Sequence, residues 1–172
     1  MKNSIAENFN SLINIIEKLR GPNGCDWDKA QTNESLIPYF IEEVYEMVDS
    51  IDNKDINNTK EELGDILLHV VLQSEIYKEH GNFNLNDVII NISDKLIKRH
   101  PHVFNKSDRI NNLDNKENWE LQKYKDKNRK SILDGVPNIL PSIITAQRIQ
   151  EKASMSGFDW ENIQSVWDKF NE

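Results

Sequence analysis

The stretch Leu63-Gly64-Asp65-Ile66-Leu67-Leu68-His69-Val70-Val71-Leu72 decides the fold class. Its aliphatic residues spread over almost the whole circumference of a helix, and a helix apolar on nearly every side is expected to be buried. Asp65 then sits where a carboxylate is costly unless it is paired or coordinates a metal. It belongs to the acidic run EELGD at Glu61 to Asp65, in which Glu62 and Asp65 are three residues apart. A second run, EEVYE, spans Glu42 to Glu46, with Glu43 and Glu46 three apart and Glu42 and Glu46 four apart. Those spacings place the carboxylates of each run on one helical face, about a turn from each other. Two helices can thus each offer a carboxylate pair to a common point. Like charges at this spacing cost a helix about 0.2–0.5 kcal/mol per pair, and lysines usually interleave to relieve it. Here no basic residue lies between Tyr39 and Lys54.

An isolated EExxE run is ordinarily a solvated helix face. A second acidic pair on a buried helix shifts the reading to a divalent-metal site. Hard carboxylate oxygens without cysteine ligands suit Mg²⁺ or Mn²⁺ better than zinc. For Glu62 a competing reading exists: Thr59 to Glu62 has the spacing of a capping box, which would employ Glu62 at a helix N-terminus. The cap can equally be an earlier Asn or Asp, with the helix beginning before Thr59. His69, four residues after Asp65, reads as a core or hydrogen-bonded histidine rather than a ligand.

A chain of 172 residues with 37% hydrophobic content is long enough for one domain with a core of its own. The formal net charge of −8 and the absence of a Lys/Arg-rich run exclude binding of nucleic acid through its phosphates. No apolar run is long enough to span a bilayer, and MKNSIAEN lacks the apolar core of a signal peptide, so a cytoplasmic location without membrane association is expected. The single cysteine, Cys25, forms no internal disulfide, in keeping with a reducing compartment.

Along the chain, Ile5, Phe9, Leu12, Ile16 and Leu19 predict an amphipathic helix to about Arg20, broken by Gly21, Pro22 and Gly24. CDWDKAQT, Cys25 to Thr32, reads as a loop in which Trp27 is a core plug or, alternatively, an aromatic surface for a planar ligand. A second helix begins near Asn33 to Ser35, tolerates Pro38 in its first turn and runs to about Ile51, with Leu36, Phe40, Met47, Val48 and Ile51 as its apolar side. The third should stop at Gly81, and Asn84 or Asn86 should cap a fourth, with Val88, Ile89, Ile92 and Leu96 facing inward. That helix ends in KLIKRHPHVF. Its cations Lys95, Lys98, Arg99 and His100 either match the negative helix end or clamp a phosphate. Past Phe104 a polar stretch leads to a thin pattern of Trp119, Leu121 and Tyr124. An apolar segment from Ile139 to Ala153 then closes at Gly157, before GFDW and a tail with Val166, Trp167 and Phe170. Nothing alternates long enough to predict a strand, so the fold class is all-α, a helical bundle.

CDWDKAQT, EEVYE, EELGD and KLIKRHPHVF, in that order, resemble the MazG-type nucleoside triphosphate pyrophosphohydrolases from about Arg20 to Trp119. The resemblance implies that Glu43, Glu46, Glu62 and Asp65 bind Mg²⁺, with Mn²⁺ as a substitute and Glu42 as a further catalytic candidate. It implies Lys95 and Arg99 as phosphate contacts and Trp27 as a stacking surface for the base. The fold implied is the all-α bundle of that family, as a homodimer or higher homo-oligomer. The reaction implied is hydrolysis of a nucleoside triphosphate to monophosphate and pyrophosphate, with broad base specificity. The domain organisation implied is a catalytic helical domain over 1–130 and a helical tail over 131–172, which resembles the linker to a second such domain in longer members. The family loop usually reads CPWD, whereas Asp26 stands here in place of the proline. Rival readings are a pyrophosphatase restricted to dCTP, dUTP or phosphoribosyl-ATP, and a non-catalytic metal-binding module.

Overall fold

In a computed structural model of the protein, the described residues are 4–104, 131, 133–154 and 156–172, and they form two units, Met1–Asp94 and Lys95–Glu172. Helices α1 (Ile5–Arg20), α2 (Asp26–Ala30), α3 (Ile37–Asp52) and α4 (Ile56–Glu79) lie in the first unit, and α5 (Leu85–Arg99) starts in it. The second unit holds the end of α5, then α6 (Pro101–Phe104), α7 (Ser142–Ser154) and α8 (Ile163–Phe170). Among the described residues there is no strand, as the all-α reading requires. The pattern of Trp119, Leu121 and Tyr124 lies outside them, as do the residues leading to the expected domain boundary near 130.

The first unit is built on the antiparallel pair α3 and α4. The Ser50 hydroxyl donates to the Met47 carbonyl at 2.8 Å and meets the Thr59 hydroxyl at 3.0 Å. Further along, the Phe40 ring lies 5.5 Å from that of His69, and Asn33 Nδ2 donates to the Gln73 carbonyl at 3.2 Å. Position 50 thus faces 59 and 40 faces 69, a single antiparallel register, and Asn33, in the turn before α3, reaches α4 at 73. Ser50 is buried at the first crossing, where a small side chain lets the helices approach and its hydroxyl remains satisfied. Α core of Ile16, Leu36, Val71, Leu72 and Ile76, with Phe9, Leu12, Ile13, Leu68 and Leu85 against it, seats α1 and the start of α5 on this pair. Each fully buried aliphatic contributes about 1.5–3 kcal/mol.

Helix α4 starts at Ile56, because the Asp55 carboxylate accepts from the backbone N–H of Asn57 and Asn58 at 3.1 and 3.0 Å. Thr59 is already inside the helix, donating to the Asp55 carbonyl at 2.7 Å. The capping-box reading is therefore set aside, and Glu62 is available to the site. At the other end Gly81, with φ +72°, closes α4 in the left-handed conformation that glycine tolerates best. The expected envelopment of α4 is partial: Val71, Leu72 and Ile76 are buried, while Leu63, Leu67 and Val70, on a different face, are exposed. The described residues thus leave part of this apolar circumference uncovered. Ile5 likewise lies open at the start of α1, and Ile89 and Ile92, expected inward, are exposed on α5.

Candidate metal centre and active site

The register of α3 against α4 places the two acidic runs opposite each other. Glu43 of α3 and Glu62 and Asp65 of α4 each present a carboxylate oxygen, and the three oxygens lie within 4.8 Å of one another. Glu62 is buried, at 6% exposure, and Glu43 and Asp65 are half-buried. Glu46, one helical step further along α3, acts electrostatically on both Glu43 and Glu62. Beside the triad an open cleft of about 670 Å³ is lined by Glu42, Tyr45, Glu46, Asp49, Asn58 and Glu62. Glu62 belongs to both features. Of the residues singled out by the sequence, Glu42, Glu43, Glu46, Glu62 and Asp65 are thus gathered in one neighbourhood.

The electrostatics are those of crowded carboxylates. Burial, then the charges of Asp65 and Glu46, push the Glu43 carboxyl above the usual carboxylate range. Burial, followed by the charge of Glu46, does the same to Glu62. The charged influences on both are other carboxylates. Three such oxygens suit a hard divalent cation: with bonds of about 2.1 Å to Mg²⁺, neighbouring ligand oxygens stand about 3–4 Å apart. The donor set can hold a metal ion.

His69 is buried, its Nδ1 has no partner among the described residues, and burial pulls its imidazole below its usual value against the opposing charge of Asp65. It packs on Phe40 and is absent from the oxygen cluster, which makes it a neutral core histidine.

Trp27 is not a core plug. Its side chain is 54% exposed and meets Tyr39 edge-on, with ring centroids 6.2 Å apart and planes at 73°. Tyr39 precedes Glu43 by one turn of α3. The segment expected as a loop is the short helix α2, opened by Asp26 with Lys29 paired to it at 2.8 Å. Asp26 occupies the first helical position, where proline is favoured for its fixed φ and an acidic side chain for its charge at the helix N-terminus. The aspartate thus keeps the helical start that the family's proline would supply. Before it, Gly24 is required: a Cβ there would lie 2.0 Å from the Leu19 carbonyl oxygen, which already accepts from Cys25 N–H at 2.8 Å.

Lys95 and Arg99 stand one turn apart on the part of α5 that belongs to the second unit. Arg99 is buried and Lys95 half-buried, and the helix breaks after them at His100, before Pro101 opens α6. Sequence reasoning overlooked Tyr39, Tyr45, Asp49 and Asn58. Asp49 continues the Glu42–Glu46 face of α3, and Asn58 precedes Glu62 by four residues, so helical spacing was the available signal. At Asn58 it was hidden because a helix capped at Thr59 would leave Asn58 outside it. Among the described residues no helix is long and apolar enough to cross a membrane.

Residues 31–104 match the MazG nucleotide pyrophosphohydrolase domain. The chain is 45% identical over 166 residues to the nucleoside triphosphate pyrophosphohydrolase/pyrophosphatase MazG of Thermotoga maritima, covering 95% of this chain and 64% of that protein. It is 42% identical over 165 residues to the nucleoside triphosphate pyrophosphohydrolase of Escherichia coli strain K12, covering 94% of this chain and 63% of that protein. The chain thus spans just under two thirds of the length of these relatives. The crystal structure of a mazG-related protein from Thermotoga maritima superimposes with a TM-score of 0.55 at 24% identity, over 66% of this chain and 97% of that one, a likeness of fold. The acidic runs set face to face on α3 and α4 lie inside this matched segment, so the chain carries a MazG nucleotide pyrophosphohydrolase domain over residues 31–104.

Proposed function

We propose that the chain hydrolyses nucleoside triphosphates to nucleoside monophosphate and pyrophosphate, with Mg²⁺ or Mn²⁺ as cofactor. The observation that carries this reading is the convergence of Glu43, Glu62 and Asp65 from two helices, with Glu46 beside them. These four carboxylates are the proposed ligands. A cation held there supplies charge neutralisation of the triphosphate and polarises its phosphoryl oxygens. It also reconciles an acidic protein with an anionic substrate.

The chain's own residues do the rest. Glu42, one turn before Glu46 on α3 and lining the same cleft, accepts the proton of the attacking water on its carboxylate. The water oxygen bonds to one phosphorus of the α–β bridge, the bridging P–O bond to that phosphorus breaks, and the triphosphate separates into monophosphate and pyrophosphate. Lys95 and Arg99 are the proposed contacts for charge on the phosphates. Trp27 is the proposed stacking surface for the base, and stacking rejects a wrong base weakly, so selectivity is broad.

A homodimer is part of the reading. Ile41, Tyr45 and Val48 on α3, and Leu63, Leu67 and Val70 on α4, are exposed at three-and-four spacing, and a second copy of the chain is their proposed cover. Residues 1–130 are the proposed catalytic domain and 131–172 a tail outside it.

Incubation of the protein with ATP, GTP, CTP, UTP and their deoxy forms plus Mg²⁺ tests the reading. Monophosphate and pyrophosphate are the expected products, at comparable rates across bases. Diphosphate plus phosphate would overturn the reaction. Turnover of dCTP or dUTP alone would replace broad specificity by a restricted one. A Mg²⁺-dependent rise in melting temperature with no turnover would leave a non-catalytic metal-binding module.

A further inference from the structure

Arg20 ends α1, and its guanidinium is engaged on every side within the first unit. Nε and Nη2 donate to Oε1 and Oε2 of Glu79, both at 2.7 Å, a fork-to-fork pair. Nη1 donates to the carbonyl oxygens of Asp28 and Gln31, the latter at 3.3 Å. The side chain is only 5% exposed. One residue therefore joins the end of α1, the end of α4 and the turn that carries Trp27. Helix α2 needs such a tie. Five residues make a single turn, whose nucleation is unfavourable alone, and its last carbonyls lack partners within the helix. Gln31 extends the tie, donating from Nε2 to the Trp27 carbonyl at 3.0 Å and accepting from the Ser35 hydroxyl at 2.8 Å. On this anchored turn the Trp27 ring stands half exposed against Tyr39, and Tyr39 is followed one turn later by Glu43.

We infer that Arg20, together with Glu79, is a positioning residue that holds Trp27 against Tyr39 as a fixed wall for the planar base of a nucleotide, one helical turn from the carboxylate cluster. The inference rests on the triphosphate reading of that cluster, with base and phosphates as two ends of one ligand. A helical turn advances about 5.4 Å, so wall and cluster lie within the span of a single small molecule. Lysine does not replace arginine here. An ammonium can pair with Glu79 but lacks the planar fork that reaches the two α2 carbonyls as well.

The test uses the full chain with Trp119, Trp160 and Trp167 changed to Phe, so that emission reports Trp27 alone. Arg20→Lys is expected to raise acrylamide quenching of Trp27 and lower its anisotropy. Since stacking of a base is worth a factor of about five or more, Arg20→Lys should raise KM for ATP by at least that factor. It should leave kcat within about two-fold and not alter KM for inorganic triphosphate, which has no base. Combined with Trp27→Ala, it should add no further rise in KM. Equal effects on ATP and inorganic triphosphate, or effects that add to those of Trp27→Ala, would overturn the inference and leave Arg20 a general support. If the unsubstituted protein hydrolyses neither compound, the triphosphate reading has failed, and Trp27 emission still decides the positioning: an unchanged signal in Arg20→Lys overturns it. Glu79→Gln, which keeps the shape of the pair and removes its charge, repeats each measurement should Arg20→Lys not fold.

Discussion

Glu62 on α4 faces Glu43 on α3, their carboxylate oxygens lying within 4.8 Å of each other and of an Asp65 oxygen, with the charge of Glu46 acting on both. Residues that converge on one cation act as a unit. Glu43→Gln, Glu62→Gln or Asp65→Asn is expected to lower turnover by more than the roughly 10–100-fold that loss of an outer-sphere partner costs. Without metal the same variants should melt at equal or higher temperature, because each removes repulsion among like charges. Steady-state rates with Mg²⁺, and thermal melts in a chelator, check both halves. Near-normal turnover in all three variants would remove the proposed site.

Ser50 is buried where α3 meets α4, its hydroxyl 3.0 Å from that of Thr59. Ser50→Leu should destabilise the fold by about 1–3 kcal/mol through overpacking, and it should weaken metal binding by shifting the register on which the carboxylates converge. Ser50→Ala should cost about 0.5–1.5 kcal/mol through the lost hydrogen bond and leave metal affinity unchanged. Urea melts and Mn²⁺ titration separate the two effects.

His69 leaves a buried Nδ1 without a partner, so removing the polar atom should carry little penalty. His69→Leu is expected to match or exceed the original melting temperature and to keep turnover within a few-fold. A loss of turnover as deep as that of Asp65→Asn would make His69 part of the chemistry instead.

The Arg20–Glu79 pair sets a pH dependence. The hydrogen bond from Arg20 holds the Glu79 carboxyl below the usual carboxylate range. A depressed carboxyl contributes stability that is present above its unfolded pKa and lost as pH falls through the lower folded value. The original protein should therefore be more stable than Glu79→Gln at neutral pH, with the difference closing as pH drops below the ordinary carboxylate range. Melting temperatures of the two across that range give the comparison. A difference that persists at the acid end would point to packing rather than charge.

The helical class, the longer helices of the first unit and the two acidic runs were legible in the residues themselves, because helical periodicity and the i, i+3 and i, i+4 spacings are local properties of the chain. The resemblance of four ordered motifs likewise needed no coordinates. Other points were decided only by tertiary structure. Asp55 and Thr59 are both competent caps separated by one turn, a choice between near-equal local options. Contact between Ser50 and Thr59 accompanies the longer helix, and that releases Glu62 to face Glu43. Trp27 has the composition of a plug, yet the tie from Arg20 to the α2 carbonyls, remote in sequence from Glu79, turns the segment into a helix that leaves its ring on the surface. The apolar circumference of α4 was readable, but not which arc its own chain would cover, since periodicity states what must be buried and only packing states by what.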